Sequence, residues 1–283
     1  MKRLINILIT LSILMFGCNI STTATPTVVT APTIVIAPTI ESPTLVDTTV
    51  SVATVPTITN NVTCNELSSY LDPALASSYT CETVPANPDG IMIAPQYTNL
   101  TLNGYLLSDR PFGPFISVYS VMAFNDIWPG FDVTPLQNLV NGNMPAEYTP
   151  FGPSLPFLPN VPAGQILRAQ YQVLPFANGS GIRYLTLLAQ NYAVINNHDL
   201  IYTYQGLTSD GQYWVAVVLP ITDSILPENG ETVPGGQTYE QFTNNYTPYI
   251  TDIATQLNSQ TSGSFAPTLA ALDALVASIN VQP

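Results

Sequence analysis

The sequence predicts an α+β fold, in which an antiparallel β-sheet built from hairpins carries C-terminal amphipathic helices packed on it. Two pairs of β-rich segments flank tight-turn signals, and two segments near the C-terminus repeat apolar residues at helical spacing. Strands and hairpins followed by terminal helices are typical of the α+β class. We expect residues 62–283 to form a single domain.

The first 18 residues have the layout of a lipoprotein signal peptide. Lys2 and Arg3 precede an apolar run over residues 4–16, and this run is shorter than the roughly 20 residues that a membrane-spanning helix needs. It ends on Gly17-Cys18, which resembles the lipobox of bacterial lipoproteins, where the cysteine is acylated and becomes the new N-terminus. A secreted protein that loses Cys18 with its signal and an uncleaved anchor are open alternatives. All three place the domain outside the cytoplasm.

Residues 19–61 are expected to form a disordered Pro/Thr-rich linker. Proline at this frequency forbids a helix and deprives a sheet of hydrogen-bond donors. The expected state is a polyproline-like stalk with a reach on the order of 100 Å. In the alternative, segments such as 34–36 add to the domain as edge strands. The Pro-Thr pairs begin at Pro26, Pro32, Pro38, Pro43 and Pro56.

Cys64 and Cys81 form an even pair if Cys18 carries a lipid. Because an exported compartment permits disulfides, we expect these two cysteines to be bridged. Closing that loop would stabilise the fold by about 3 kcal/mol. Two unpaired buried thiols are the alternative.

The charge balance excludes several partners. The chain has five Lys and Arg residues against eighteen Asp and Glu, and beyond the signal peptide only Arg110, Arg168 and Arg183 are strong bases. Such a chain repels nucleic acid and an anionic bilayer, so membrane contact is expected through the lipid alone. Arg168 and Arg183 fall on the two strands of one predicted hairpin, at positions that could pair across it. Local carboxylates are the expected partners of the arginines, and anion capture by all three is the alternative.

The N-terminal half of the domain gives weaker signals. We predict a short helix over residues 66–71, a loosely alternating strand over 98–107 and a strand buried on both faces over 115–124. Residues 126–162 contain many Pro, Gly and aromatic residues. This pattern predicts an ordered loop with a short helix over 135–140.

The second half gives the clearest signals. Segments 165–176 and 181–190 flank Asn178-Gly179, and segments 200–207 and 212–221 flank Asp210-Gly211. Asn-Gly and Asp-Gly are strong hairpin signals because glycine adopts positive φ readily.

Two helices close the chain. Thr238 and Gln241 form a capping-box pattern ahead of an amphipathic run that Pro248 is expected to kink or split. Pro267 is predicted at the first position of the last helix, which runs to Ile279.

No catalytic residue, cofactor motif or metal-ligand set is predicted. The only histidine, His198, is interpreted as a turn residue whose ring bonds its neighbours rather than as a base. A pair of catalytic carboxylates, as in a glycosidase, is an open alternative in the middle of the domain. The aromatic rings there could stack on sugars or fill the core. The carboxylates are Asp109, Asp126, Asp132 and Glu147, and the rings are Phe112, Phe115, Trp128, Phe131, Tyr148 and Phe151.

A resemblance rests on three stretches: Gly181 to Ile221, Leu155 to Pro159 and the closing Leu272 to Ile279. They resemble a group of uncharacterised bacterial lipoproteins with Pro/Thr-rich stalks. At the level of fold, hairpins followed by a helix are similar to the PsbP-like α/β/α sandwich. This resemblance brings no catalytic residue and implies protein association.

The sequence therefore favours a surface-tethered, non-enzymatic binding domain whose ligand is a protein or a neutral glycan. Arg110, Trp128, Arg168 and Arg183 are the candidate ligand-binding residues. A carbohydrate-active or other hydrolytic enzyme that uses paired carboxylates is the alternative.

Overall fold

The computed structural model describes residues 60–107, 109–143 and 153–282. The chain divides into two units, Met1–Val55 and Pro56–Pro283, and every described residue lies in the second. Cys18 and the predicted linker up to residue 59 lie outside the described residues. The strands are β1 (Asn61–Cys64), β2 (Leu67–Tyr70), β3 (Ser78–Val84), β4 (Tyr97–Asn103), β5 (Phe115–Ser120), β6 (Gly164–Gln165), β7 (Ala169–Phe176), β8 (Gly179–Thr186), β9 (Leu188–Ala189), β10 (Ile201–Thr208), β11 (Tyr213–Pro220), β12 (Thr222–Asp223), β13 (Phe265–Ala266) and β14 (Asn280–Val281). The helices are α1 (Val121–Ile127), α2 (Thr134–Val140), α3 (Tyr239–Asn244), α4 (Tyr246–Ser259) and α5 (Leu269–Ala277).

A large antiparallel sheet forms the centre of the domain. Within the described residues its seven strands lie in the order β3-β4-β5-β11-β10-β8-β7. Both predicted hairpins are confirmed. β7 and β8 turn at Ala177 and Asn178, and Gly211 adopts a φ of +71° in the turn between β10 and β11.

Both faces of this sheet are covered. On one face, α4 and α5 pack against β7, and the core includes Val217 and Leu272. On the opposite face, α2 packs over β8 and β10, and Phe124 and Trp214 belong to a separate cluster. The predicted α+β fold with C-terminal helices on an antiparallel sheet is therefore confirmed.

The helix signals near the C-terminus are largely confirmed. The Thr238 hydroxyl accepts from the Gln241 backbone N–H, and the Gln241 side chain accepts from the Thr238 N–H. The apolar run is split at Asn245, so Pro248 lies in the first turn of α4, where its missing N–H costs little. The prediction for Pro267 is wrong: Thr268 is the N-cap of α5, and Pro267 stays outside the helix.

Two predictions in the N-terminal half are wrong. Residues 67–70 form β2, which pairs with β1 and β14, rather than a helix over 66–71. Four residues with alternating burial suit a strand, and long-range pairing decides the outcome. The apolar run over 115–124 is a strand only to Ser120, whose hydroxyl caps α1 by accepting from Ala123.

Cys64 and Cys81 form the predicted disulfide. It links the end of β1 to β3, so the three-stranded sheet β1-β2-β14 is joined covalently to the edge of the large sheet. No helix in the described part of the chain is long and apolar enough to cross a bilayer.

Candidate functional site

A series of aromatic rings lies on the sheet face that α1 and α2 cover. Neighbouring rings have centroids between 4.3 and 6.2 Å apart. Two clefts open beside this series, and they share Asn160 as a lining residue. The rings are those of Tyr97, Tyr119, Phe124, Phe131, Trp128 and Trp214.

The first of the two clefts, which we call the tryptophan cleft, has a volume of about 270 Å³. Trp128, at the C-terminus of α1, lines it together with Phe131, Phe157 and Trp214. The Trp214 Nε1–H donates to the Gln205 side-chain oxygen over 2.8 Å. Trp214 itself is buried, so the partly exposed rings of Trp128, Phe131 and Phe157 are the ones that offer faces on which a ligand ring can stack.

Buried Gln205 also fixes the wall of the tryptophan cleft. Its amide oxygen accepts from the Leu158 N–H over 2.9 Å, and its Nε2 donates to the Leu158 carbonyl over 3.1 Å. A second buried amide, that of Gln165, pairs in the same way with Leu155. Each glutamine amide therefore makes the pair of hydrogen bonds with the backbone that a neighbouring strand would make. These bonds order the Pro-rich segment that contains Leu155 and Leu158, although this segment forms no regular secondary structure.

The second of the two clefts, which we call the sheet cleft, has a volume of about 330 Å³. Its floor is formed by β4 and β5. Tyr97 pairs with Tyr119 and Asn99 with Ser117, so the four side chains project from one face. The Ser117 hydroxyl donates to the Asn99 side-chain oxygen over 2.8 Å. All of the lining residues that the structure describes are uncharged.

The tyrosine hydroxyls of the sheet cleft stay protonated at neutral pH. Burial raises the pKa of Tyr119, and burial together with the Glu82 carboxylate raises the pKa of Tyr97. Among the described residues, none makes a well-aligned hydrogen bond to the Tyr119 hydroxyl, although the Tyr97 and Ser117 hydroxyls are close enough to influence its pKa. The two tyrosines therefore add no phenolate charge to the sheet cleft at neutral pH.

Asn160 ties the two clefts together. It lines both, and its side-chain amide donates to the Ile93 carbonyl over 3.1 Å, which holds the loop after β3 against the Pro-rich segment. The two clefts thus combine aromatic surfaces with amide and hydroxyl groups.

Among the described residues, the two clefts hold no pair of carboxylates of the glycosidase kind. Asp132 is the one carboxylate among the described residues that line them. Hydrogen bonds from the side chain and the backbone N–H of Thr134 lower the pKa of Asp132, which favours its ionised form. Glu147, Tyr148 and Phe151 lie outside the described residues.

Of the candidate ligand-binding residues, Trp128 lies in a cleft, whereas the three arginines have internal partners. Arg110 pairs with exposed Glu228 at 3.0 Å, as well as with Asp109. Arg168 donates to the Pro153 carbonyl over 3.1 Å.

Arg183 lies on the opposite side of the sheet from Arg168. It pairs with Asp273 of α5 at 3.6 Å and donates to the Gln172 side chain. Arg168, in contrast, lies near Tyr184 on the aromatic side. The two arginine positions therefore do not pair across the hairpin, because Arg168 precedes β7 and Gln172 occupies the register position opposite Arg183.

Sequence reasoning missed the floor of the sheet cleft. The alternation of Tyr97 and Asn99 with buried residues was the local signal for a two-sided strand. Which residues of β5 face them follows only from the pairing register.

In comparisons with models of protein families, with curated proteins and with solved structures, no match to this chain was found.

Proposed function

We propose that the chain is a lipid-anchored, extracytoplasmic binding domain that takes a neutral, polyhydroxylated ligand, such as a glycan, in the tryptophan and sheet clefts. The observation that carries this proposal is the composition of the sheet cleft, which combines two tyrosine rings with amide and hydroxyl groups and has no charged side chain among its described lining residues. Such a surface can stack on a sugar ring and bond its hydroxyl groups without desolvating a charge.

The charge of the chain supports a neutral ligand. The net charge of −13 repels polyanions. Each of the three arginines has contacts within the domain, as described above. The clefts therefore favour ligands that need no cation for recognition.

Placement outside the cytoplasm rests on the lipobox-like Gly17-Cys18 and on the resemblance to stalked lipoproteins. In this proposal Cys18 holds the lipid and the Pro/Thr-rich linker sets the distance between the membrane and the domain. A hydrolytic enzyme is less well supported, because the two clefts offer Asp132 without a second carboxylate among their described lining residues.

A glycan panel with simultaneous product detection tests the proposal. We expect reversible binding of neutral glycans without turnover. Trp128→Ala should weaken it about two- to tenfold, because a stacked aromatic pair contributes roughly 0.5–1.5 kcal/mol. Tyr70→Ala removes an exposed ring from β2 and serves as the matched control. Released product, or binding that Trp128→Ala leaves unchanged, would argue against the proposal.

A further inference from the structure

A third cavity, which we call the tyrosine cleft, shares no lining residue with the other two and has a volume of about 700 Å³. It lies between the segment that precedes β10, the loop after β12 and the start of α3. Its lining combines aromatic rings with carboxylates, which distinguishes it from the uncharged sheet cleft. The rings and charged or titratable side chains of its lining include those of Tyr192, His198, Asp199, Glu231 and Tyr239.

Two of the rings are exposed and yet held in place. Tyr192 and Tyr239 are 41% and 55% exposed. The Tyr239 hydroxyl donates to the Tyr192 carbonyl over 3.4 Å, and the Tyr192 ring meets that of Tyr246 edge to face at 4.7 Å. Buried Tyr246 in turn donates to the Ala193 carbonyl over 2.9 Å. The rings therefore form a wall that is open to solvent and supported from behind.

The acidic side of the cleft is also ordered. One Asp199 oxygen contacts His198 Nδ1 at 2.8 Å, and the other accepts from the Asn196 side-chain amide over 3.0 Å. Asn196 is buried, and its own side-chain oxygen accepts the Asp199 N–H. These contacts fix the carboxylate at the edge of the cleft.

Glu231 adds a second, exposed carboxylate. Within the described residues no cation lies at salt-bridge distance from it. Arg110 contacts the same loop, but its partner there is Glu228 and not Glu231. The negative charge of Glu231 is therefore available to a ligand.

We propose that the tyrosine cleft binds an alkylammonium group. Aromatic faces attract a cation through their quadrupole, and carboxylates complete its coordination, so rings and acids in one cavity favour an organic cation over a neutral or anionic group. The group belongs either to a free quaternary amine or to a lysine side chain of a partner protein. This site is independent of the proposed glycan clefts.

Titration of the intact chain with three compounds tests this proposal. They are choline, its uncharged isostere 3,3-dimethylbutan-1-ol, and Nα-acetyl-lysine amide, which keeps the side-chain ammonium group. We expect choline or the lysine amide to shift NMR signals of the cleft residues and to bind about fivefold or more tightly than the isostere. Choline alone would identify a free amine, and lysine amide would identify a protein side chain. The affinity should fall as salt is added.

Two variants assign the binding to this cleft. Tyr239→Ala and Glu231→Gln should each weaken binding about threefold or more, whereas Tyr239→Phe, which keeps the ring, should retain it. Tyr70→Ala should leave cation binding unchanged, because Tyr70 is an exposed ring of β2 that does not line this cleft. Equal binding of choline and its isostere, absence of binding by both cations, or insensitivity to both weakening variants would overturn the proposal.

Discussion

Asp273 shows how a single carboxylate joins a helix to the sheet. It accepts a hydrogen bond from the buried Tyr202 hydroxyl over 2.9 Å and lies 3.6 Å from Arg183 Nε. Arg183 Nε has no hydrogen bond of good geometry among the described residues, so the contact is an ion pair of moderate quality. Burial raises the pKa of Asp273, and the Arg183 charge and the Tyr202 hydrogen bond offset this only in part.

The raised pKa of Asp273 predicts a pH dependence of stability. The folded state holds this proton more tightly than the unfolded chain does, so the contribution is complete below the ordinary carboxyl pKa of about 4 and is lost as the pH rises through the folded pKa. Asp273→Asn, which cannot ionise, should therefore lose less stability than the wild type over that range. Urea unfolding at a series of pH values measures this. Asp252→Asn, at an exposed position of α4, is the matched control, and identical pH profiles for Asp273→Asn and wild type would contradict the account.

At the scale of elements, the pairing of β8 with β10 depends on two glycines that face each other. Gly181 lies opposite Gly206, and the Tyr204 ring covers both. A Cβ on Gly181 would come within 2.3 Å of the Gln205 carbonyl oxygen and 2.4 Å of the Gly206 Cα, which are backbone atoms that cannot move aside cheaply.

Gly181→Ala should consequently lower the free energy of unfolding by about 2 kcal/mol or more, in the range of overpacked core sites. Gly263→Ala is the matched control, because a Cβ there meets no atom within 4 Å. Chemical denaturation of both variants measures the difference. Equal stability of the two variants would show that the strands tolerate the added methyl group.

The disulfide also holds two elements together, because it joins β1 to β3 across a sequence separation of 17 residues. Replacing both Cys64 and Cys81 with alanine should lower the free energy of unfolding by about 3 kcal/mol. Guanidinium unfolding of this variant against the oxidised wild type measures the loss, and reduced wild type should match the variant. Unchanged stability would mean that the β1-β2-β14 sheet holds without the bridge.

Local signals identified the elements that are specified locally. Three such features depend on a few neighbouring residues each, and all three predictions are confirmed. They are the turns at Asn178 and Gly211 and the capping box at Thr238. β2 escaped prediction because four residues carry little periodicity, and its pairing with β14 joins residues more than 200 positions apart. The end of β5 was hidden because its apolar run continues into α1.

At the scale of the whole molecule, the candidate sites could be predicted only in part. Trp128 was identified from an aromatic-rich loop, and it lines the tryptophan cleft. Tyr97, Ser117 and Asn160 come together through strand register and a Pro-rich segment fixed by buried glutamines, which no local pattern encodes. The tyrosine cleft likewise joins residues that are distant in sequence.

The distribution of charge supports the proposal of a tethered domain. A net charge of −13 gives no electrostatic attraction to an anionic bilayer, so in this proposal membrane association comes from the lipid on Cys18. The proposal of a lipid-anchored domain therefore depends on one residue, Cys18.

Metabolic labelling with an alkyne fatty acid, in a bacterial host that expresses the full chain, tests this dependence directly. We expect label on the wild-type protein in the membrane fraction, and neither label nor membrane association for Cys18→Ser. Wild-type protein that carries no lipid and is recovered from the cytosol would contradict the account.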